Sequence, residues 1–199
     1  MYDDRTEAGR ILGEQLVTHD VRPDVVLAVP SGGVPIARPI CDRFGANLGL
    51  MVTEPIRAPS PHDLPIGAVT DTGAAWIDDR LVETFDIDEE RLDVEKQRAF
   101  REARDKHVVY DEVDEDPTPE GTVVVVDDGI VTGRTMKACG SALEKVADCY
   151  AVVAAPVGPP DSVAELHHFT DEVVVTETPP DFRVLGQFYD AFERPTLPR

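Results

Sequence analysis

The sequence predicts an α/β protein: a parallel twisted sheet of about five strands flanked by helices, with a small insertion. Short apolar runs alternate with amphipathic stretches, which is typical of strands and helices joined by right-handed crossovers. The run Val123–Val126 consists of β-branched residues and suits a strand buried on both faces. Glycine-containing turns follow two of the predicted strands at their carboxyl ends, where open α/β sheets bind ligands.

The predicted elements alternate over most of the chain. Each is marked by apolar residues on one helix face or by a short run of β-branched residues. In chain order they are a helix over Asp4–Thr18, a strand at Val25–Val29, a helix over Ile36–Phe44, a strand at Leu48–Thr53, a helix over Asp88–Lys106 capped by Asp88, the strand at Val123–Val126 and the helix after it, a strand near Tyr150–Ala155, a short helix after Pro160 and a strand at Glu172–Thr176.

Residues 55–80 interrupt this alternation and are expected to form an insertion. They are rich in proline and glycine, and Ile66–Val69 and Ala74–Ile77 are predicted to pair as a small hairpin. Trp76 lies in this insertion. We expect it to be a hydrophobic anchor, with stacking on a base as the alternative.

We expect a single domain over residues 1–199. Residues 88–121 hold the long charged helix, followed by an acidic, proline-containing segment from Asp111 to Gly121. The composition of that segment predicts that it is mobile.

The charge balance is strongly acidic. The chain has 39 Asp and Glu against 19 Lys and Arg, which gives a formal net charge of −20. Such a surface suits a halophilic protein, because concentrated salt screens the self-repulsion. An ordinary acidic cytosolic protein is the alternative. We expect no nucleic-acid partner, because no basic face is evident.

Cysteine usage and apolar runs predict a cytoplasmic location. Cys41, Cys139 and Cys149 form no C-x-x-C pair, as expected of core cysteines in a reducing compartment. The first residues lack the basic and apolar regions of a signal peptide. No apolar run approaches the length that spans a bilayer, so we expect no membrane partner.

The stretch Asp127–Thr135 predicts a sugar-phosphate site. It lies between a buried strand and a helix, so backbone N–H groups and the positive helix end converge on one point. Gly129 and Gly133 let the backbone approach a phosphate closely. The carboxylates of Asp127 and Asp128 suit sugar hydroxyls or a divalent metal. The plainer interpretation is an acid pair that caps the helix.

This stretch resembles the phosphoribosyl-pyrophosphate (PRPP) motif of type I phosphoribosyltransferases: a hydrophobic strand, two acids and a small-residue turn. A second stretch, Val25–Ala37, is similar to the pyrophosphate loop of that family. Ala58-Pro59, Pro65–Val69 and Leu185–Tyr189 resemble a poorly characterised branch of predicted phosphoribosyltransferases. The likeness covers nearly the whole chain.

The resemblance implies transfer of the 5-phosphoribosyl group from PRPP to a nitrogenous base, with release of pyrophosphate and with Mg²⁺ as cofactor. It implies that Asp127 and Asp128 are catalytic and hold the ribose hydroxyls or the metal, directly or through water. The expected partners are PRPP and a small base, and the family allows a homodimer. The implied ligands are Gly129, Ile130, Val131, Thr132, Gly133, Arg134 and Thr135 for the 5-phosphate, and Pro30, Ser31, Gly32 and Gly33 for the pyrophosphate.

Two positions depart from the family pattern. Many relatives carry an Arg-Lys pair that faces the pyrophosphate at the end of the second strand, whereas Glu54 and Pro55 stand here. A glutamate would repel the leaving group, and nearby Arg57 is the expected substitute ligand. Val131 stands where the 6-oxopurine enzymes carry an acid, which disfavours a hypoxanthine- or guanine-type acceptor.

These departures leave a second function open. The sequence also fits a PRPP-binding regulatory protein with little or no turnover, which the Glu54-Pro55 pair favours. A sugar-phosphate enzyme of unrelated chemistry on a flavodoxin-like sheet is a third interpretation.

We expect the affinity for PRPP–Mg²⁺ to rise with KCl, because screening removes the repulsion between a polyphosphate and a protein of net charge −20. The Debye length falls from about 30 Å at 0.01 M salt to about 3 Å at 1 M. Calorimetric titration across this range tests the expectation, with circular dichroism to show that the protein is folded at each point. An affinity that falls steadily with KCl in folded protein would contradict it.

Overall fold

Two sheets and six α-helices make up the described part of the computed structural model, which covers residues 1–59, 63–110, 117–146 and 149–193. In chain order the elements are α1 (Arg5–Thr18), β1 (Val25–Ala28), α2 (Gly33–Phe44), β2 (Asn47–Leu50), β3 (Thr53–Arg57), β4 (Pro65–Thr70), β5 (Ala75–Ile77), α3 (Asp79–Thr84), α4 (Glu89–Val109), β6 (Gly121–Val126), α5 (Arg134–Leu143), β7 (Cys149–Val157), α6 (Pro160–Leu166), β8 (Glu172–Glu177) and a 3₁₀ turn (Leu185–Phe188).

The main sheet has five parallel strands in the order β2-β1-β6-β7-β8. This confirms the predicted fold class. β1 and β6 pair in register, with Val25 opposite Val123 and Ala28 opposite Val126. Their carboxyl ends therefore stop at the same level, and the chain leaves both strands on the same edge of the sheet.

Helices cover the main sheet on both faces. Along β1 and β6 the side chains alternate between the two sides, as the two-residue period of a strand requires. Val26 and Val124 belong to the cluster that contains residues of α1 and α2, whereas Leu27 and Val125 belong to the cluster that contains residues of α5 and α6. The apolar strands are thus buried on both faces, which is why they read as unbroken hydrophobic runs.

The second strand is shorter than predicted. The sequence indicates one strand over Leu48–Thr53, but β2 ends at Leu50 and Thr53 opens β3 in a different sheet. Met51 and Val52 between them are buried. The apolar run continues from β2 into β3, so the sequence pattern does not indicate where one strand ends and the other begins. Such a pattern indicates which residues are buried, but not which strand they pair with.

The predicted insertion forms a separate antiparallel sheet in the order β3-β4-β5. β4 and β5 make the expected hairpin, and β3 adds a third strand that the sequence pattern did not indicate. The amide of Thr70 donates to the carbonyl of Ala74 across the hairpin turn at 2.8 Å. Gly73 has a φ of +88° in that turn, a conformation that glycine adopts without strain.

The long charged helix begins where the sequence predicts. The Asp88 side chain accepts a hydrogen bond from the Arg91 amide at 2.8 Å, which satisfies one of the open N–H groups of the first turn. The helix continues to Val109, beyond the predicted Lys106. Of the acidic segment after it, residues 111–116 lie outside the described residues. Within the described ranges no helix is both long and apolar enough to cross a bilayer.

Lys137 fastens the small sheet to the main one. This α5 lysine is 5% exposed, and its ammonium lies 4.2 Å from the ring centroid of Trp76 on β5 and 5.7 Å from that of Phe169. The two rings meet edge to face, and Glu165 of α6 completes the contact as an ion-pair partner. Trp76 is therefore an anchor between layers, as the sequence analysis expected.

Replacing Lys137 with alanine should lower the free energy of unfolding by roughly 2 kcal/mol, because a desolvated cation–π contact and an ion pair are lost together. Lys145→Ala is the matched control, because that lysine is exposed. Denaturant unfolding at a fixed KCl concentration measures both variants. Equal stability of the two would show that the aromatic contact contributes little.

Candidate functional site

The two loops singled out by the sequence meet at the carboxyl edge of the main sheet. One loop follows β1 and the other follows β6, and these strands are in-register neighbours. The Val29 amide donates to the Val126 carbonyl at 2.9 Å, which continues the pairing into the loops. The structure therefore brings together the predicted pyrophosphate loop (Pro30–Gly33) and the predicted phosphate loop (Asp127–Thr135).

Glycines in the pyrophosphate loop are required by packing. A Cβ on Gly32 would lie 2.4 Å from Asp128 Oδ2, and a Cβ on Gly33 would lie 2.4 Å from the Val126 carbonyl oxygen. Pro30, Ser31 and Gly32 are half-buried at the mouth of the site, and the peptide between Pro30 and Ser31 is cis. The missing side chains thus let the two loops touch.

The phosphate loop is held by its own backbone and by its neighbours. The amide of Ile130 donates to the Val157 carbonyl at 2.8 Å, and the Ile130 side chain is buried, so this residue anchors the loop. Val131 and Thr132 are exposed, Thr135 is half-buried, and Arg134 pairs with Asp78 at 3.9 Å.

The acid pair does not cap the helix that follows. Gly133, with a φ of +72°, precedes α5, and no side chain caps that helix. The capping interpretation of Asp127 and Asp128 is therefore wrong. The amino-terminal turn of α5 keeps the open N–H groups that suit an anion.

The two carboxyl groups of the pair have different surroundings. Asp127 is half-buried and its Oδ1 accepts a hydrogen bond from the Asp128 amide at 2.8 Å, whereas Asp128 is buried. Burial, followed by the negative charge of Asp128, raises the pKa of Asp127 well above its ordinary value. Two adjacent acids of this kind need cations nearby to remain ionised.

Arg5 provides such a cation. Its Nε donates to Asp128 Oδ2 at 2.8 Å, and its Nη2 lies 2.8 Å from the same oxygen. Both side chains are nearly buried, at 10% exposed for Arg5 and 12% for Asp128. Sequence reasoning missed Arg5, because an isolated arginine at the start of a helix belongs to no motif.

A segment near the end of the sequence closes over the acid pair. We call residues 184–193 the closing strap. The hydroxyl of Tyr189 donates to the Asp128 carbonyl, and the Arg5 Nη1 donates to the Glu193 carbonyl at 2.7 Å. Leu185 packs against Gly129, where a Cβ would lie 2.2 Å from Leu185 Cδ1. The Leu185–Tyr189 stretch, noted above as a family likeness, thus lies against the predicted site.

The strap is fixed to the first residues of the chain. The Tyr2 amide donates to the Phe188 carbonyl at 2.8 Å, and the Asp190 amide donates to the Tyr2 carbonyl at 2.9 Å. The Tyr2 hydroxyl donates to the Pro156 carbonyl at 2.9 Å. These bonds join the strap, the first residues and the carboxyl end of β7 around the acid pair.

Glu54, expected to face the pyrophosphate, instead pairs with Lys106 of α4. Glu54 and Ile56 are the buried residues of β3, and its other three residues are half-buried. The negative charge of Glu54 is therefore compensated by an ion pair between β3 and α4. Arg57, the predicted substitute ligand, forms an ion pair with Asp63 at 3.1 Å and donates to the Asp63 carbonyl at 2.9 Å.

The donor set fits a metal that arrives with its substrate. Among the described residues no group of three or more His, Cys, Asp or Glu side chains is placed to hold an ion. Asp127 and Asp128 offer carboxylates at one point. Magnesium is commonly bound through one or two carboxylates together with substrate phosphates, so the acid pair is compatible with Mg²⁺.

Gly32→Ala tests the contact between the loops. The added methyl group would push the Asp128 carboxylate away from Arg5, so we expect a lower melting temperature and a loss of phosphoribosyl-ligand binding. Gly13→Ala is the matched control, because its Cβ would meet Arg43 Cδ at an ordinary 3.4 Å. Calorimetry and thermal melts of both variants measure the difference. Normal binding by Gly32→Ala would show that the contact is not needed.

Comparison with known proteins identifies the family. A sequence model of the phosphoribosyl transferase domain matches residues 6–182. A Mycobacterium tuberculosis protein with the name "Putative phosphoribosyl transferase" is 35% identical over 203 residues, which cover 96% of this chain and 44% of that protein. The chain thus spans less than half the length of this curated relative.

Two solved structures are similar to this chain over most of its length. A Thermus thermophilus protein is 30% identical, with a TM-score of 0.79 over 97% of this chain and 92% of that one. An Aquifex aeolicus protein shares the fold, at 11% identity and a TM-score of 0.53 over 87% of this chain and 74% of that one. With two loops in contact beside an acid pair, and a domain match over most of its length, the chain belongs to the phosphoribosyl transferase family.

Proposed function

We propose that this protein transfers the 5-phosphoribosyl group from PRPP to a nitrogenous base and releases pyrophosphate. The observation that carries the proposal is the contact between the loops, in which Gly32 leaves room for the Asp128 carboxylate and no more. A ligand bound there would have a pyrophosphate at one loop and a 5-phosphate at the other. PRPP carries both groups on one ribose.

The 5-phosphate binds at the beginning of α5. Gly133 turns the chain into the helix, Thr132 precedes it and Thr135 lies in the first turn, so that their hydroxyls can join the open amides in binding a phosphate. Ile130 and Val131 shape the loop: the Ile130 amide is bonded to Val157, and the Val131 carbonyl accepts from Ser162 at 3.0 Å. The positive end of the helix favours a dianion at this point.

The ribose lies over the acid pair. Asp127 and Asp128 accept hydrogen bonds from its hydroxyls, and their negative charge stabilises the positive charge that develops at C1 as pyrophosphate leaves. The ribose is held in one orientation throughout, which removes much of the entropic part of the barrier.

The pyrophosphate binds at the beginning of α2, against Pro30–Gly33. Bound Mg²⁺, held by Asp127 and Asp128, would neutralise part of the charge on this leaving group. The chain itself supplies the Ser31 hydroxyl and the amides of the loop. Glu54 and Pro55 stand in place of the usual Arg-Lys pair of the family. The Ser31 hydroxyl and the loop amides therefore supply more of the binding of pyrophosphate.

The cellular location and the partners of the protein are part of the same proposal. We infer that it is a cytoplasmic enzyme of a salt-rich cell and that it acts on PRPP and a small base. Because dimers occur in the family, we also propose a homodimer. Support comes from the net charge of −20 and from Cys41, Cys139 and Cys149, which are free thiols.

A PRPP-binding regulatory protein with little or no turnover is the second candidate. The observation that favours it is the pairing of Arg57 with Asp63, which engages the cation expected to replace the missing Arg-Lys pair. The pairing of Glu54 with Lys106 argues the other way, because it neutralises the acid that would repel pyrophosphate.

Pyrophosphate release from PRPP–Mg²⁺ at high KCl distinguishes the two functions. We expect release to depend on one member of a panel of purine and pyrimidine bases. Binding of PRPP without release, for every base, would favour the regulator.

Asp127→Asn and Asp128→Asn should each weaken PRPP binding about ten- to hundredfold, since a charge-assisted hydrogen bond contributes roughly 1.5–3 kcal/mol. Asp105→Asn, an exposed acid on α4, is the matched control for the loss of one negative charge. Calorimetry on folded protein measures all three. Unchanged affinity in both site variants would refute the role of the pair.

A further inference from the structure

We propose that Arg5 is the positioning residue of the acid pair. It holds one carboxylate oxygen of Asp128 and so presents the other to the ribose hydroxyls of PRPP. This inference rests on the function proposed above and assigns the residue that makes the ribose site rigid.

The geometry at Asp128 carries the inference. Arg5 Nε and Nη2 both lie 2.8 Å from Oδ2, so the guanidinium fork engages a single oxygen. Oδ2 is also the oxygen nearer to Gly32, where a Cβ would lie 2.4 Å from Oδ2 and 2.9 Å from Oδ1. The backbone of Asp128 is fixed as well, because its amide donates to Asp127 and its carbonyl accepts from Tyr189. The carboxylate is therefore held in one orientation, with Oδ2 engaged by Arg5 and Oδ1 left for a ligand.

Arg5 is itself held from several directions. Its Nη1 donates to the Glu193 carbonyl at 2.7 Å, and its guanidinium carbon lies 4.1 Å from the ring centroid of Phe192. Asp4 caps the helix that carries it by accepting from the Glu7 amide at 2.8 Å. A planar fork with several donors can make these contacts at the same time, whereas the point charge of a lysine cannot.

The charges around the acid pair also support a positioning role for Arg5. Asp127 and Asp128 are adjacent acids in a strongly acidic protein, and a ribose offers hydroxyls but no cation. Arg5 compensates one of the two charges inside the site, where screening by salt is weak.

The competing interpretation is that Arg5 only fastens the closing strap, since the removal of one partner of any buried ion pair is destabilising. The two interpretations differ in which ligands should lose affinity when Arg5 is replaced: the ribose ligands alone, or pyrophosphate as well.

The experiment compares Arg5→Met and Arg5→Lys with Arg10→Met, which removes an exposed charge from the same helix. Calorimetry at high KCl measures affinity for PRPP–Mg²⁺, ribose 5-phosphate and inorganic pyrophosphate. In Arg5→Met we expect affinity for the two ribose ligands to fall about tenfold or more, with pyrophosphate binding unchanged. Arg5→Lys should show the same selectivity with a smaller loss, and it decides the matter if Arg5→Met does not fold.

A double-mutant cycle completes the test. If Arg5 acts through Asp128, then Arg5→Met should cause little further loss of ribose 5-phosphate affinity in the Asp128→Asn background. Additive losses, an equal loss for pyrophosphate, or the same effect from Arg10→Met would overturn the inference alone. Wild-type protein that binds neither ribose ligand would overturn the proposed function and this inference together.

Discussion

The in-register pairing of β1 with β6 is the constraint on which the rest of the structure depends. Because Ala28 lies opposite Val126, the chain leaves both strands at the same level and two loops start side by side. A shift of one residue in this pairing would move the two loops relative to each other and separate Gly32 from Asp128. The candidate site is therefore a consequence of the register of these two strands.

Several cations of this acidic protein form ion pairs in which at least one partner is buried. Arg5 pairs with Asp128, Lys106 with Glu54, and Lys137 with Glu165. Each contact joins segments that are distant in sequence, so each also ties one layer of the fold to another. The remaining acids are mostly exposed, where solvent and salt absorb their repulsion. A chain with few basic residues has thus placed several of them at junctions.

Much of the main sheet follows from the sequence, because β-branched runs and loop glycines are local signals. Val123–Val126, the Asp88 cap and the β4–β5 hairpin were all predictable in this way. The end of β2 at Leu50 was not, since the apolar pattern continues into β3.

The partners of charged residues were also beyond local reasoning. Glu54 was expected to face a ligand, but its position on β3 places it against Lys106, 52 residues away in the chain. Arg5 is separated from Asp128 by 123 residues. No spacing rule relates such pairs, and only the folded topology brings them together. The loops of the site could therefore be located from the sequence, whereas the residues that orient them could not.

The closing strap also bears on the order of events during synthesis. The main sheet can assemble once β8 has left the ribosome, but Asp128 gains its partners from Tyr189 and, through Arg5, from Phe192 and Glu193. The nascent chain can therefore form the main sheet and the Arg5–Asp128 pair before the strap reaches them. Premature termination a few residues before the strap would leave a folded sheet in which Arg5 and Asp128 lack the contacts of Tyr189, Phe192 and Glu193.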